Sequence, residues 1–206
     1  MKLATLCAHL VPLLDMEMSD LNELQRSLKE QSAHFDPESE INIAIIAAAE
    51  RAGVAHDPDI LKGKPGPGGG IEMGTFNTAF FLLAIAINGP RRESAQTTWR
   101  TWHLHQEGST LSGWSIDELH AATCPLTGRY LFGDAIKAIL ASEDVAARVS
   151  KVIVAADMFG EIHFDEGRVS RFTSGRFEIK DEPRLYRPAI VSGEVFHAVC
   201  QLLKRR

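Results

Sequence analysis

The hydrophobic period of this sequence changes near residue 149, and that change constrains the fold more than any other feature. Before it, apolar residues recur at the three- and four-residue intervals of amphipathic helices. After it, Ile162 and Phe164 alternate with polar Glu161, His163 and Asp165, which is the two-residue period of a half-buried strand. Helices followed by strands predict an α+β fold with a mostly helical N-terminal and central part.

The strand-like region predicts a C-terminal antiparallel β-meander of three or four strands with one apolar face. The β-branched run 152–154 opens it, and a Glu-Gly pair at 166–167 suits a tight turn before a strand at 169–172. A further strand is expected at 176–180. Ser192 is expected to cap a closing helix that covers the apolar face.

Two segments are expected to form buried central helices. An Asp-Pro pair starts the first, at 37–52, and Gly53 ends it. The second spans 76–88. Its uninterrupted apolar run, 79–87, is nine residues long, whereas a helix needs about 20 residues to cross a bilayer. We therefore expect a core helix and no membrane span.

A glycine- and proline-rich segment at 62–70 lies between these helices. We expect a helical part over residues 1–90 and an α+β part with the meander over 91–206, or one continuous domain. The segment contains glycines and two lysines but lacks the spacing of a phosphate-binding Walker loop, so a connection or a partner-contacting loop is the expectation.

The N-terminal segment has leucines at helical spacing. Pro12 is expected to break or kink this region, giving two helices. The leucines either pack on their own domain or form a contact between subunits. As a subunit contact we select five of them: Leu10, Leu14, Leu21, Leu24 and Leu28.

Charge and cysteine content exclude several classes of protein. The net charge is −5, with +5 over residues 168–206 and −10 over residues 1–167. An acidic chain is repelled by DNA at long range, although the basic end would attract an acidic partner.

The three cysteines are widely spaced and odd in number, so neither a disulfide framework nor a Cys-x-x-Cys metal pair is expected. We predict a cytoplasmic protein without a cofactor.

Tryptophan and arginine residues are the expected partner-binding residues, because these two types dominate interface energetics. The segment 97–105 is expected to be a strand from its threonines and tryptophans. The selected residues are Trp99, Arg100, Trp102, Arg168, Arg171 and Arg176.

His103 and His105 are the expected metal ligands if a metal binds. On a strand, an H-x-H pair points both imidazoles to one side, and His120 or Cys124 is a conceivable further ligand. Nothing in the spacing fixes that third ligand. The favoured alternative is that both histidines are ordinary, partly buried side chains.

A winged-helix arrangement is the nucleic-acid alternative. A short helix at 115–122, a turn, a helix at 130–141 and a hairpin follow in the required order. The second helix would be the recognition helix, but its basic residues are only Arg129 and Lys137.

Asp157, His163 and Asp165 lie close together in the sequence and could form an acid-base group or a cation site. Simple strand alternation explains His163 and Asp165 equally well.

We therefore expect a non-enzymatic regulatory or adaptor protein of prokaryotic or phage type, which self-associates and binds a protein partner. A winged-helix-like DNA-binding protein is the first alternative. A small metal-dependent enzyme is the second.

Overall fold

The computed structural model describes residues 1–32, 71–87, 94–107, 123–173 and 188–205. These residues form seven helices and a five-stranded sheet. The helices are α1 Leu3–Leu14, α2 Met18–Ser32, α3 Thr75–Ile87, α4 Ser94–Trp102, α5 Phe132–Ala141, α6 Glu143–Ala147 and α7 Gly193–Lys204. The strands are β1 His105–Gln106, β2 Val149–Ala155, β3 Phe159–Phe164, β4 Arg168–Thr173 and β5 Ala189–Ser192.

Four predicted elements lie outside the described residues. They are the helix at 37–52, the glycine-rich segment at 62–70, the first winged-helix segment at 115–122 and the strand at 176–180.

The sheet is antiparallel throughout, with strand order β1-β4-β3-β2-β5. The consecutive strands β2, β3 and β4 form the predicted meander, and α7 is the predicted closing helix. Ser192 caps α7 as expected, since its hydroxyl accepts a hydrogen bond from the Glu194 amide at 3.3 Å. The α+β prediction is confirmed. β1 and β5 extend the meander at its two sides. The sequence did not predict β5, and of β1 it included only His105, at the end of the strand predicted at 97–105.

The inner face of the sheet is apolar and packs on the helices. Alternate strand residues, among them Val152, Ile162 and Phe172, are fully buried. Helices α3 and α7 both contact β2 and β5 on this side. The opposite, outer face carries the alternate residues, which are mostly polar or partly exposed.

Helix α5 fixes the separation between the helices and the sheet. The Phe132 ring lies so close to Gly160 that a Cβ at that position would be 2.5 Å from the ring, and it also packs on Phe172 with 5.2 Å between centroids. At the next residue, the Trp102 indole occupies the place that a Cβ of Gly133 would take. Both glycines are therefore required by close packing.

The prediction of a strand at 97–105 is wrong over most of its length, because residues Ser94–Trp102 form α4. Threonine favours strands, but here the hydroxyls of two threonines form hydrogen bonds within the helix. Thr98 donates to the Ser94 carbonyl at 2.6 Å and Thr101 to the Thr97 carbonyl at 2.9 Å. Burial of one helix face among aromatic rings then outweighs β-propensity.

The N-terminal leucines pack inside the chain. Leu10, Leu21, Leu24 and Leu28 are buried, and Leu14 is partly buried. This burial does not favour a subunit contact through Leu10, Leu21, Leu24 and Leu28, whereas Leu14 stays a prediction. They instead fit the other expectation, two amphipathic helices packed on their own domain. Pro12 lies in the last turn of α1, which ends two residues later.

One cluster of buried side chains includes Leu6 and Phe80 from the first predicted part and Phe132 and Val199 from the second. The division at residue 90 stays a prediction. Among the described helices, none has both the length and the apolar character needed to traverse a bilayer.

We expect Gly133→Ala to lower the free energy of unfolding by about 1–3 kcal/mol, because the new methyl group must displace the Trp102 indole. At an exposed helical glycine, the same substitution would raise the free energy of unfolding, since alanine is the better helix former. Gly74→Ala is the matched control. Nothing lies within 4 Å of a Cβ there, and its effect should stay below about 1 kcal/mol. Urea denaturation measures both, and a neutral or stabilising Gly133→Ala would contradict the packing described here.

Candidate functional site

The outer face of the sheet carries a continuous row of side chains across four strands. The strand register places Ile190 of β5 beside Ile153 of β2, Ile153 beside Glu161 of β3, and Glu161 beside Arg171 of β4. Because cross-strand neighbours lie on one face, the row is apolar at the β5 end and charged at the β4 end. This mixture of apolar and paired charged groups is typical of protein interfaces.

Glu161 is the polar centre of the outer face. It is 8% exposed, and its two carboxylate oxygens are both engaged. Arg171 Nε donates to Oε1 at 2.8 Å, and His163 Nε2 donates to Oε2 at 2.9 Å. Burial alone would raise the pKa of Glu161, but these two hydrogen bonds and the Arg171 charge outweigh it and lower the pKa. Glu161 is therefore a carboxylate that binds its neighbours.

The two edges of the sheet differ. Beyond β1, the chain at 130–132 covers the edge, with the Gln106 amide bonded to the Tyr130 carbonyl at 3.0 Å and the Phe132 amide to the Leu104 carbonyl at 2.9 Å. Beyond β5, no strand among the described residues pairs. Ile190 on this strand is 65% exposed. An uncovered edge with an exposed isoleucine is a template for another strand.

The arginines selected as partner-binding residues are in ion pairs within the chain. Arg100 Nη1 donates to Asp157 at 3.1 Å, and Arg168 Nη2 donates to Asp165 at 2.7 Å. Arg171 is paired with Glu161, as described above, and Arg176 lies outside the described residues. Each described arginine of the set is thus neutralised by a carboxylate of its own chain. A partner that used them would first have to compete with those carboxylates.

Trp99 and Trp102 are core residues. Their exposed fractions are 9% and 3%, and each ring packs against the aromatic rings of α3. The centroid distances are 5.1 Å from Phe80 to Trp99 and 5.0 Å from Phe76 to Trp102. Their selection as partner-binding residues is corrected accordingly, because both indoles of α4 point into the core and are not exposed to a partner.

His103 and His105 lie at the junction of α4 and β1. His103 Nδ1 donates to the Trp99 carbonyl at 2.7 Å, which caps the end of α4 and uses one ring nitrogen. The His105 ring packs on Tyr130, with 4.8 Å between centroids, and its buried Nδ1 has no hydrogen-bond partner. Over the described parts of the chain, no cluster of three His, Cys, Asp or Glu side chains is suited to a metal. His120 lies outside those parts.

The same junction contains a carboxyl group, Asp134. Burial raises the pKa of Asp134 against the opposing effect of Lys137, Arg129 and His103. Burial lowers the pKa of His103 against the opposing effects of the Trp99 carbonyl and Asp134. The arrangement favours the uncharged form of each group, as expected where water is displaced by apolar packing.

The helix expected to act in DNA recognition is α5. Six of its ten residues are buried, and it contacts α3, α4, α6 and α7. A recognition helix has to present one long face to the major groove. The burial of α5 therefore does not favour that role.

Asp157, His163 and Asp165 do not form one group. Asp157 lies in the turn before β3 and Asp165 in the turn after it, so they are at opposite ends of the strand. His163 bonds to Glu161, and Asp165 bonds to Arg148 and Arg168. Each has a separate structural role.

Sequence reasoning missed Ile190 and Glu161 as surface features. Glu161 was recognisable as an outward residue from its alternation with Ile162, but its partner Arg171 follows only from the register. Ile190 stands in a four-residue strand, too short to give a periodic signal. An isoleucine between Ala189 and Val191 could be read as core in any fold.

None of the protein-family models, curated proteins or solved structures compared with this chain matches it.

We expect the protein to lose stability as the pH falls through about 6.5, the ordinary histidine value from which the pKa values of His103 and His105 are lowered. Below that pH the unfolded chain binds more protons than the folded chain, so the free energy of unfolding decreases. Asp134 acts in the opposite direction, but in the range above its ordinary value of 3.8.

His105→Gln should reduce the loss of stability that occurs as the pH falls. The difference between the urea midpoints above and below pH 6.5 measures that loss. His9→Gln is the control, because His9 is exposed, and it should keep the loss of the parent protein. If His105→Gln kept the full loss, burial of His105 would not be its cause.

Proposed function

We propose that this chain is a non-enzymatic adaptor or regulatory protein that self-associates by pairing the β5 strands of two copies. The observation that carries the proposal is the 65% exposure of Ile190 on a strand that has a free edge among the described residues. Large apolar side chains on free strand edges are a liability that proteins usually cover or avoid. Pairing with a second copy would cover both the edge of β5 and the Ile190 side chain.

The geometry of β5 suits a second copy of the same strand. Two antiparallel strands are related by a two-fold axis, which is the symmetry of most protein dimers. No residue of β5, which reads Ala-Ile-Val-Ser, is charged, although edge strands commonly carry lysine to prevent such pairing. Pairing would join two five-stranded sheets into one and would place two copies of Ile190 close together.

The charge distribution supports a protein partner over a nucleic acid. The described arginines of the meander and of α4 are paired with Asp157, Glu161 and Asp165. Phosphate binding depends on cations that exchange small counterions for phosphate groups. Guanidinium groups already bound to carboxylates gain less from that exchange.

We place the protein in a reducing compartment such as the cytoplasm. Support comes from Cys7, Cys124 and Cys200, which are all free and buried. Burial raises the pKa of Cys7 and Cys200, which keeps both as unreactive thiols.

We expect light scattering after size exclusion to give the mass of a dimer that dissociates on dilution. Ile190→Lys should give a monomer, because a charged side chain at the pairing edge disfavours strand addition. Val169→Lys is the matched control. Val169 is also a β-branched outer-face residue, 46% exposed, but it lies on β4, which β3 and β2 separate from β5. A monomeric parent protein, or a dimer that Ile190→Lys leaves intact, would contradict the proposal.

A further inference from the structure

An apolar groove lies between the first and last described helices. It has a volume of about 390 Å³ and is open to solvent. Its walls come from α1 and α7, which contact each other. The apolar lining residues are Ala8, Pro12, Leu13, Ala198 and Leu202.

The groove leaves a large apolar side chain exposed. The face of α1 that carries Leu3, Leu6 and Leu10 is buried in the core, whereas Leu13 is 39% exposed. The core therefore uses one side of α1, and the groove presents another. Apolar side chains that line one groove, as Leu13 and Leu202 do, mark a binding surface more than apolar side chains scattered singly.

The polar side chains that line the groove are cationic or neutral. His9, Gln201 and Arg205 contribute them, and no carboxylate is among the lining residues. Arg205 is distinctive, because it forms no ion pair with any described residue, unlike Arg100, Arg168 and Arg171. Its guanidinium lines an apolar groove and has no ion-pair partner among the described residues, and a guanidinium can form a two-point pair with a carboxylate.

The other cation of this helix end is already committed. Lys204 Nζ donates to Glu143 at 3.3 Å, and Gln201 donates to the same carboxylate at 3.2 Å. These bonds connect the end of α7 to α6. Among the described residues of this helix end, Arg205 is the cation that no carboxylate already binds.

We infer that this groove binds an amphipathic helix of a protein partner, whose apolar stripe contacts Leu13 and Leu202 and whose acidic residue pairs with Arg205. Recognition of an apolar helix face by a groove is a recurrent mode, with anchors at three- and four-residue spacing. The acidic character of the partner follows from charge complementarity with Arg205. The inference rests on the proposed adaptor function only in that the partner is a protein, and it uses a surface separate from β5.

The test uses two labelled helical peptides with the same leucine stripe. One carries glutamates beside the stripe, and the other carries lysines at the same positions. Fluorescence anisotropy should show saturable binding of the glutamate peptide to the full chain and weaker binding of the lysine peptide. Arg205→Ala should weaken glutamate-peptide binding by about tenfold, the effect of one charge-assisted pair, and Leu13→Gln should weaken both peptides.

Arg26→Ala is the matched control, because Arg26 is an exposed arginine on α2 whose partner is Glu30. It should bind both peptides like the parent protein. Equal binding of the two peptides, or glutamate-peptide binding that Arg205→Ala leaves unchanged, would overturn the inference. So would tight binding of dodecanoate in the groove together with no peptide binding, because the groove would then be a small-molecule site. Ile190→Lys should keep peptide binding, which separates this test from that of self-association.

Discussion

The close contacts of two aromatic rings with two glycines hold this fold together. Phe132 presses on Gly160 of the sheet, and Trp102 of α4 presses on Gly133 of α5. Neither contact has room for a methyl group, so the glycines let α5 pack closely on the sheet and α4 pack closely on α5. The approach brings α4 to the turn between β2 and β3. There Arg100 and Thr101 bind Asp157 through its carboxylate and its amide, and they position the end of the strand that carries Glu161.

Because the helices cover the inner face of the sheet, the recognition surface that we propose lies on the outer face. The charged groups at its centre are already bound to one another, since Arg171 and His163 both form hydrogen bonds to Glu161. Because Glu161 and Arg171 compensate each other's charge, we propose that this face binds through shape and apolar area more than through charge. The free edge at β5 supplies the apolar area. The groove between α1 and α7 is a second apolar surface, lined by Arg205, and we propose it as a contact surface different from β5.

Sequence patterns predicted the parts of the fold that have clear periodicity. The α+β order, α5, α7 and the meander follow from periods of 3.6 and 2 and from the serine that caps α7. The patterns failed at α4, where threonines and tryptophans have strand propensity, while aromatic packing and hydroxyl bonds to the helix carbonyls decide for a helix. The strand prediction placed the indoles of Trp99 and Trp102 on the surface, whereas α4 buries them in the core. The partner-binding site predicted from these two residues was therefore misplaced as well. The pairing of Arg171 with Glu161 and the free edge at Ile190 depend on strand register and order, which no local pattern contains.

Hydrogen–deuterium exchange at β5 tests the central claim most directly, because alternate amides of an edge strand point away from the sheet and are protected only by another strand. The account predicts that the outward-pointing amides among residues 189–192 exchange slowly in concentrated protein and faster on dilution, while the amides of the central strand β3 stay protected at both concentrations. Exchange at β5 that is fast and independent of protein concentration would contradict it.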